Sequence, residues 1–193
     1  MLPSGHIATG VLLGLRPHRR APARARSWVL LGAVVSACLP DADLALPFVL
    51  DRMGIKHRLN SGRHHSWITH TPLFWAAVIA LARRAGRHPL APAWAPHAAG
   101  LLSVGVTLHL AEDALANTIA LLWPVRRREY GLGLDHMPGV DDHIDYVLRY
   151  PTTPAGRLEL ALIAVAASAL SRQRRLSRQP RSNGRRQAFG ATS

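Results

Sequence analysis

The sequence predicts an all-α protein, a compact bundle of about five helices embedded in a membrane and followed by a disordered basic tail. Three observations predict it. Apolar runs rich in Ala and Leu recur along the 193 residues, separated by Pro, Gly or Arg clusters. None of them alternates with period two over a useful length, which disfavours strands. The basic residues fall in the gaps between the runs, whereas a soluble nucleic-acid binder interleaves them with aromatics on one face.

The runs, taken in order, are Leu2 to Leu15, Trp28 to Leu39, Pro72 to Ala85, His97 to Leu122 and Arg157 to Leu170. The first is short, lacks a basic n-region and is followed by Arg16, Arg19 and Arg20, so it is expected to remain as a helix and not to act as a cleaved signal. The third starts at Thr71-Pro72, threonine at the N-cap position and proline at the first helical position. The fourth is the only run that clearly reaches the roughly 20 apolar residues needed to span a bilayer. After Leu170 apolar content collapses into Arg172, Arg174, Arg175, Arg178, Arg181, Arg185 and Arg186, so the domain is drawn at 1–170 and the disordered tail at 171–193.

A formal charge of +13 combined with 48% hydrophobic residues reads as topology marking. With alternating helices, the loops Arg16 to Arg26 and Arg83 to Arg87 and the tail share one side, which is cytoplasmic by the positive-inside tendency. Arg126, Arg127 and Arg128 fall on the other side, which a bundle lying only partly in the membrane accommodates. The single cysteine, Cys38, excludes an internal disulfide and a multi-thiolate zinc site, leaving nitrogen and oxygen as metal ligands.

The same alternation carries the histidines and acids to the end opposite the basic loops. His6 begins the first helix, Asp41 and Asp43 close the second, His64, His65 and His70 precede the third, and His109 and Asp113 lie in the outer half of the fourth. His109 and Asp113, at i and i+4, project from one face and interrupt a long apolar run with only Glu112, Asn117 and a few hydroxyls for polar company. An ionised carboxylate there costs several kcal/mol unless something neutralises it. The alternatives are a bound metal, a buried His–Asp hydrogen-bonded pair, or an arginine partner. Asp41 and Asp43 follow Pro40 and read equally as a loop or cap pair. Asp135, His136, Asp141, Asp142, His143 and Asp145 form a later acidic stretch that fits an exposed loop as well as extra ligands.

In this order, Gly5-His6, Leu39-Pro40-Asp41-Ala42-Asp43, His65 through His70, His109-Leu110-Ala111-Glu112-Asp113 and Leu121-Leu122-Trp123-Pro124 resemble the YdjM family of inner-membrane metal-dependent hydrolases. The resemblance implies His6, Asp41, Asp43, His65, His70, His109 and Asp113 as metal positions. Two departures stand out. Ser66 and Trp67 replace the Arg and Gly that usually follow the first histidine of the His-Arg-Gly-x-Thr-His motif, and Leu44 stands where a histidine often follows the second aspartate. The expected activity is metal-assisted hydrolysis of a phosphoester, a lipid-linked one included, at one or two divalent ions, zinc foremost, with Asp43 or Asp113 as base. The expected setting is multi-pass in the inner membrane, the site facing the extracytoplasmic side. The competing reading is a non-catalytic membrane protein with a structural or sensing metal. Nucleic-acid binding through the Arg tail is disfavoured.

Overall fold

The computed structural model describes residues 1–55, 65, 67–126, 128–140 and 143–178. Helices α1 (Pro3–Arg20), α2 (Arg26–Cys38), α4 (Pro72–Gly86), α5 (Ala95–Ala116) and α7 (Pro154–Arg178) correspond to the five expected runs. Two short helices add to them, α3 (Ala45–Arg52) and α6 (His143–Arg149). Among the described residues the only strand-like pairing is an isolated antiparallel bridge between Ile119 and Tyr130. The chain is all-helical, as the sequence predicts.

Direction follows from close contacts. Gly10 of α1 lies against α2 so tightly that a Cβ would sit 2.6 Å from the Val34 Cα, and Gly14 lies four residues further along α1 against Leu30, so the two helices run antiparallel. Small residues at such crossings let backbones approach where hydrocarbon supplies no hydrophobic drive between helices. Gly105 of α5 seats on Ser36 and Gly32 of α2 meets Leu101, which makes α2 and α5 parallel. Trp75 of α4 packs with Val106, Leu110 and Ile119, while Gly86 at its other end meets Ala95, so α4 runs against α5. Helices α1 and α7 run side by side in the same direction: the Leu2 amide donates to Glu159 Oε2 (3.1 Å), and at the far end Gln173 Nε2 lies 2.6 Å from His18 Nδ1. The arginines of the α1–α2 and α4–α5 loops and of the end of α7 therefore gather at one end, and the starts of α1 and α4 and the ends of α2 and α5 at the other.

Burial is inverted relative to a soluble bundle. Ala33, Ala37, Ala99, Ala155 and Ala166 share the interior with His6, His70, His109 and Asp113, while Leu31, Val35, Leu81, Leu160 and Val165 face outward. Three helical stretches are long and apolar enough to cross a membrane: Ala23–Arg52, Ala95–Ala116 and Pro154–Ser177. The sequence alone singled out one. The first was missed because Pro40 and Pro47 look like breaks, yet Pro40 sits at the start of a 3-10 turn (Leu39–Leu44) and Pro47 in the first turn of α3, where no amide is needed. The third was cut at Leu170, whereas α7 continues to Arg178. Residues 179–193 lie outside the described residues.

The fourth run ends earlier than expected, at Ala116 and not Leu122. Asn117 turns extended, and the segment after Tyr130 comes back under the helix end. The amides of Leu132, Leu134 and Asp135 donate to the carbonyls of Ala114, Leu115 and Ala116, groups that a helix C-terminus leaves without partners. Gly131 makes this possible, since a Cβ there would lie 1.9 Å from the Asn117 carbonyl oxygen. Thr71 occupies the N-cap position of α4, but its hydroxyl donates to the Ile68 carbonyl (2.7 Å) and not forward into the helix.

Two buried acids outside the cluster are tied to tyrosines. Tyr146 donates to Asp135 Oδ2 (2.7 Å) and Tyr150 to Glu159 Oε2 (2.9 Å). Burial first, then the neighbouring carboxylate, pushes both phenols well above their ordinary pKa, so they remain donors. Glu159 also accepts from Ser4 and thus anchors the start of α1, of which His6 is the fourth residue.

Candidate metal centre

Four elements meet at the non-basic end. Helix α1 supplies His6 from its first turn, the 3-10 turn after α2 supplies Asp41 and Asp43, the 3-10 turn Ile68–His70 supplies His70, and α5 supplies His109 and Asp113. The Trp75 indole donates to the Thr69 carbonyl and locks that turn onto α4. His6, His70, His109 and Asp113 are completely buried.

The ring nitrogens are oriented by what lies behind them. His109 Nδ1 is 2.7 Å from the Ala37 carbonyl oxygen, which only accepts, so Nδ1 carries the proton and Nε2 points inward. His6 Nδ1 is 2.7 Å from Glu112 Oε2, and Thr9 donates to the other oxygen of that carboxylate. His70 turns Nδ1 toward Asp43 Oδ2 (3.5 Å), which also accepts from Thr69, and Nε2 toward Asp41 Oδ1 (3.3 Å). Burial by itself lowers the pKa of His70, but its hydrogen bonds to Asp41 and Asp43 and the nearby Asp113 charge outweigh this and hold it above the ordinary value.

Inside this ring of supports the electron-rich atoms crowd together. His109 Nε2 lies 3.0 Å from Asp113 Oδ2, 3.4 Å from His70 Nε2 and 3.5 Å from Asp41 Oδ1. His6 Nε2 lies 3.2 Å from Asp113 Oδ1, and His65 Nε2 lies 3.6 Å from the same oxygen. The Met1 ammonium group donates to that oxygen in a buried ion pair, at 2.8 Å. His6 Nε2 and Asp113 Oδ2 are buried with no aligned hydrogen-bond partner, despite these short separations. A cation held between them would satisfy lone pairs converging at such distances. The donor set fits one: His6, Asp41, His109 and Asp113 bring ligand atoms within 4.8 Å of one another, and His65, His70 and Asp113 form a second such group. An N/O set of this kind suits a divalent transition metal, and the carboxylate or carbonyl behind His6, His70 and His109 is the support that metal-ligating imidazoles use.

Of the seven positions the sequence marks, six fall in these two groups, and Asp113 belongs to both. Asp43 stands apart from them, on the far ring nitrogen of His70. His64, Ser66, Arg127, Asp141 and Asp142 lie outside the described residues. Asp135 is held by Tyr146, and His136 is exposed. Glu112 is the residue that sequence reasoning passed over. Its signal was present, a second carboxylate in an apolar helix beside Asp113, but that His6 would need a partner from α5 depends on how α1 crosses it. Replacing Glu112 by Ala is expected to weaken metal affinity by about 10–100-fold with helix content preserved, as measured by chelator competition. Affinity equal to wild type would show that Glu112 does not support His6.

A bundle with apolar outer faces, three membrane-length helices and a buried His/Asp cluster defines a helical membrane protein with a candidate metal centre. The model of the YdjM inner membrane protein family matches residues 1–175, and the chain belongs to that family. No curated protein and no solved structure matches it.

Proposed function

We propose that the protein is a membrane-bound metal-dependent hydrolase acting on a phosphoester, with a lipid-linked one as the natural substrate class in this setting. The observation that supports this reading best is the presence of Asp113 in two ligand groups, which would let it help to hold two ions. His6, Asp41, His109 and Asp113 would hold one ion, and His65 and His70 with Asp113 the other. A divalent ion, zinc foremost, supplies polarisation of a phosphoryl oxygen and acidification of water from about 15.7 toward about 7. The side chains do the rest. Glu112 and the Ala37 carbonyl keep His6 and His109 in the tautomer that faces the centre. Asp113, hemmed in by imidazoles, serves as ligand. Asp43 has Oδ1 without a hydrogen-bond partner among the described residues and is the carboxylate placed to accept a proton.

The distribution of arginine supports a multi-pass arrangement with the basic end cytoplasmic and the metal end extracytoplasmic. A second reading, a structural or sensing metal without catalysis, is favoured by the complete burial of His6, His70, His109 and Asp113. Asp41, Asp43, His65 and Glu112 keep partial exposure and mark the side from which a substrate would approach.

Elemental analysis of detergent-purified protein beside His109→Ala tests the metal first. Near-stoichiometric zinc or another transition metal in the wild type, lost in the variant, is the expected result. No metal in either protein after reconstitution with added ions would remove the basis of the hydrolase reading.

A further inference from the structure

A cavity of 1460 Å³ opens between α2, the second half of α4 and the first half of α5, on the basic side of the bundle. Gly32 and Val35 of α2, Leu39 just after it and Leu101 of α5 give it an apolar floor. From Ala25 to Leu39 it follows α2 for about 20 Å at helical rise, longer than the ~15 Å hydrocarbon depth of one leaflet. Its mouth is different in character. Trp28 and Trp94, 72% and 68% exposed, flank it with indoles of the kind that settle at headgroup level, and Arg84 and His88 stand at the rim.

Charge decides what fits. Asp and Glu are absent from residues 1–40 and 52–111, the stretches that contain Arg16, Arg19, Arg20, Arg24, Arg26, Arg83, Arg84 and Arg87. The cations of both basic loops therefore have no acidic neighbour in their own segments. A negatively charged headgroup supplies one, and a guanidinium matches phosphate oxygens in bidentate fashion. We propose that this groove is a binding site for an anionic phospholipid, one acyl chain lying along Gly32 and Val35 and the phosphate seated at Arg84 and His88. The site is separate from the metal centre and does not depend on its chemistry.

The test uses the full chain reconstituted in bilayers of equimolar phosphatidylglycerol and phosphatidylcholine, extracted into mild detergent, with retained lipid counted by native mass spectrometry. Wild type is expected to retain one phosphatidylglycerol with about tenfold preference over phosphatidylcholine. A Cβ at Gly32 would meet Leu101 Cδ1 at 3.7 Å, an ordinary van der Waals contact, so the backbone accepts a side chain there, and Gly32→Phe, on the groove lining, should abolish retention at unchanged helix content. Arg84→Gln should keep a lipid but lose the headgroup preference, which decides the matter even where Gly32→Phe does not fold. Equal retention of both lipids by wild type, or unchanged preference in Arg84→Gln, would reduce the groove to ordinary annular surface. A wild-type dimer that retains no lipid and that Gly32→Phe dissociates would assign the groove to a second copy of the chain and overturn the proposal.

Discussion

Replacing Asp113 by Ala is expected to remove bound metal and turnover together, because this carboxylate is the one residue common to both ligand groups. Its Oδ1 lies within reach of His6 and His65 and its Oδ2 of His70 and His109, so truncation withdraws an anion that all four imidazoles face. Stability provides a readout that does not rely on activity. Metal bound to the folded state at about a thousand times its Kd stabilises by about 4 kcal/mol, so chelation should lower the melting temperature of the wild type by several degrees. Asp113→Asn keeps the shape of the side chain and removes the charge that would otherwise be stranded in the stripped protein. Its melting temperature should be indifferent to chelator, with helix content like that of the wild type. A chelator-dependent shift that survives in Asp113→Asn, or turnover that survives in Asp113→Ala, would disprove the shared-ligand assignment.

Much of this centre is legible without coordinates, and the reason is directional. Helix count and alternation alone carry His6, Asp41, Asp43, His65, His70, His109 and Asp113 to one end, because a short loop forces the next helix back the other way. What the alternation cannot supply is rotation. Whether Asp43 faces inward depends on a 3-10 turn, three residues per turn instead of 3.6, that places Asp41 toward His109 and leaves Asp43 behind His70. The pairing of Glu112 with His6 likewise depends on how deeply α1 settles, which Gly10 permits by letting α2 approach to contact distance. Membrane length was under-read for a related reason. A proline inside an apolar run looks like a terminus from local rules, and at Pro40 and Pro47 it instead joins α2 to α3 through positions where its missing amide costs nothing. The premature end of α5 was out of reach of any window, since the amides that donate to its last carbonyls come from residues 132–135.

The position of Asp43 separates catalysis from metal retention. Thr69 and His70 both address Oδ2, while Oδ1 is buried at the edge of the cluster without a hydrogen bond. In Asp43→Asn one amide oxygen can still serve Thr69 and His70, so the ring should hold its orientation and metal content should stay within about threefold of wild type. The variant cannot take up a proton. If Asp43 is the base, kcat falls by about 10²–10⁴-fold while bound metal is retained. Metal lost in parallel with activity would instead make Asp43 a positioning residue for His70. Activity unchanged would leave the proton to a group on the more exposed side of the cluster, where Asp41 and Glu112 stand.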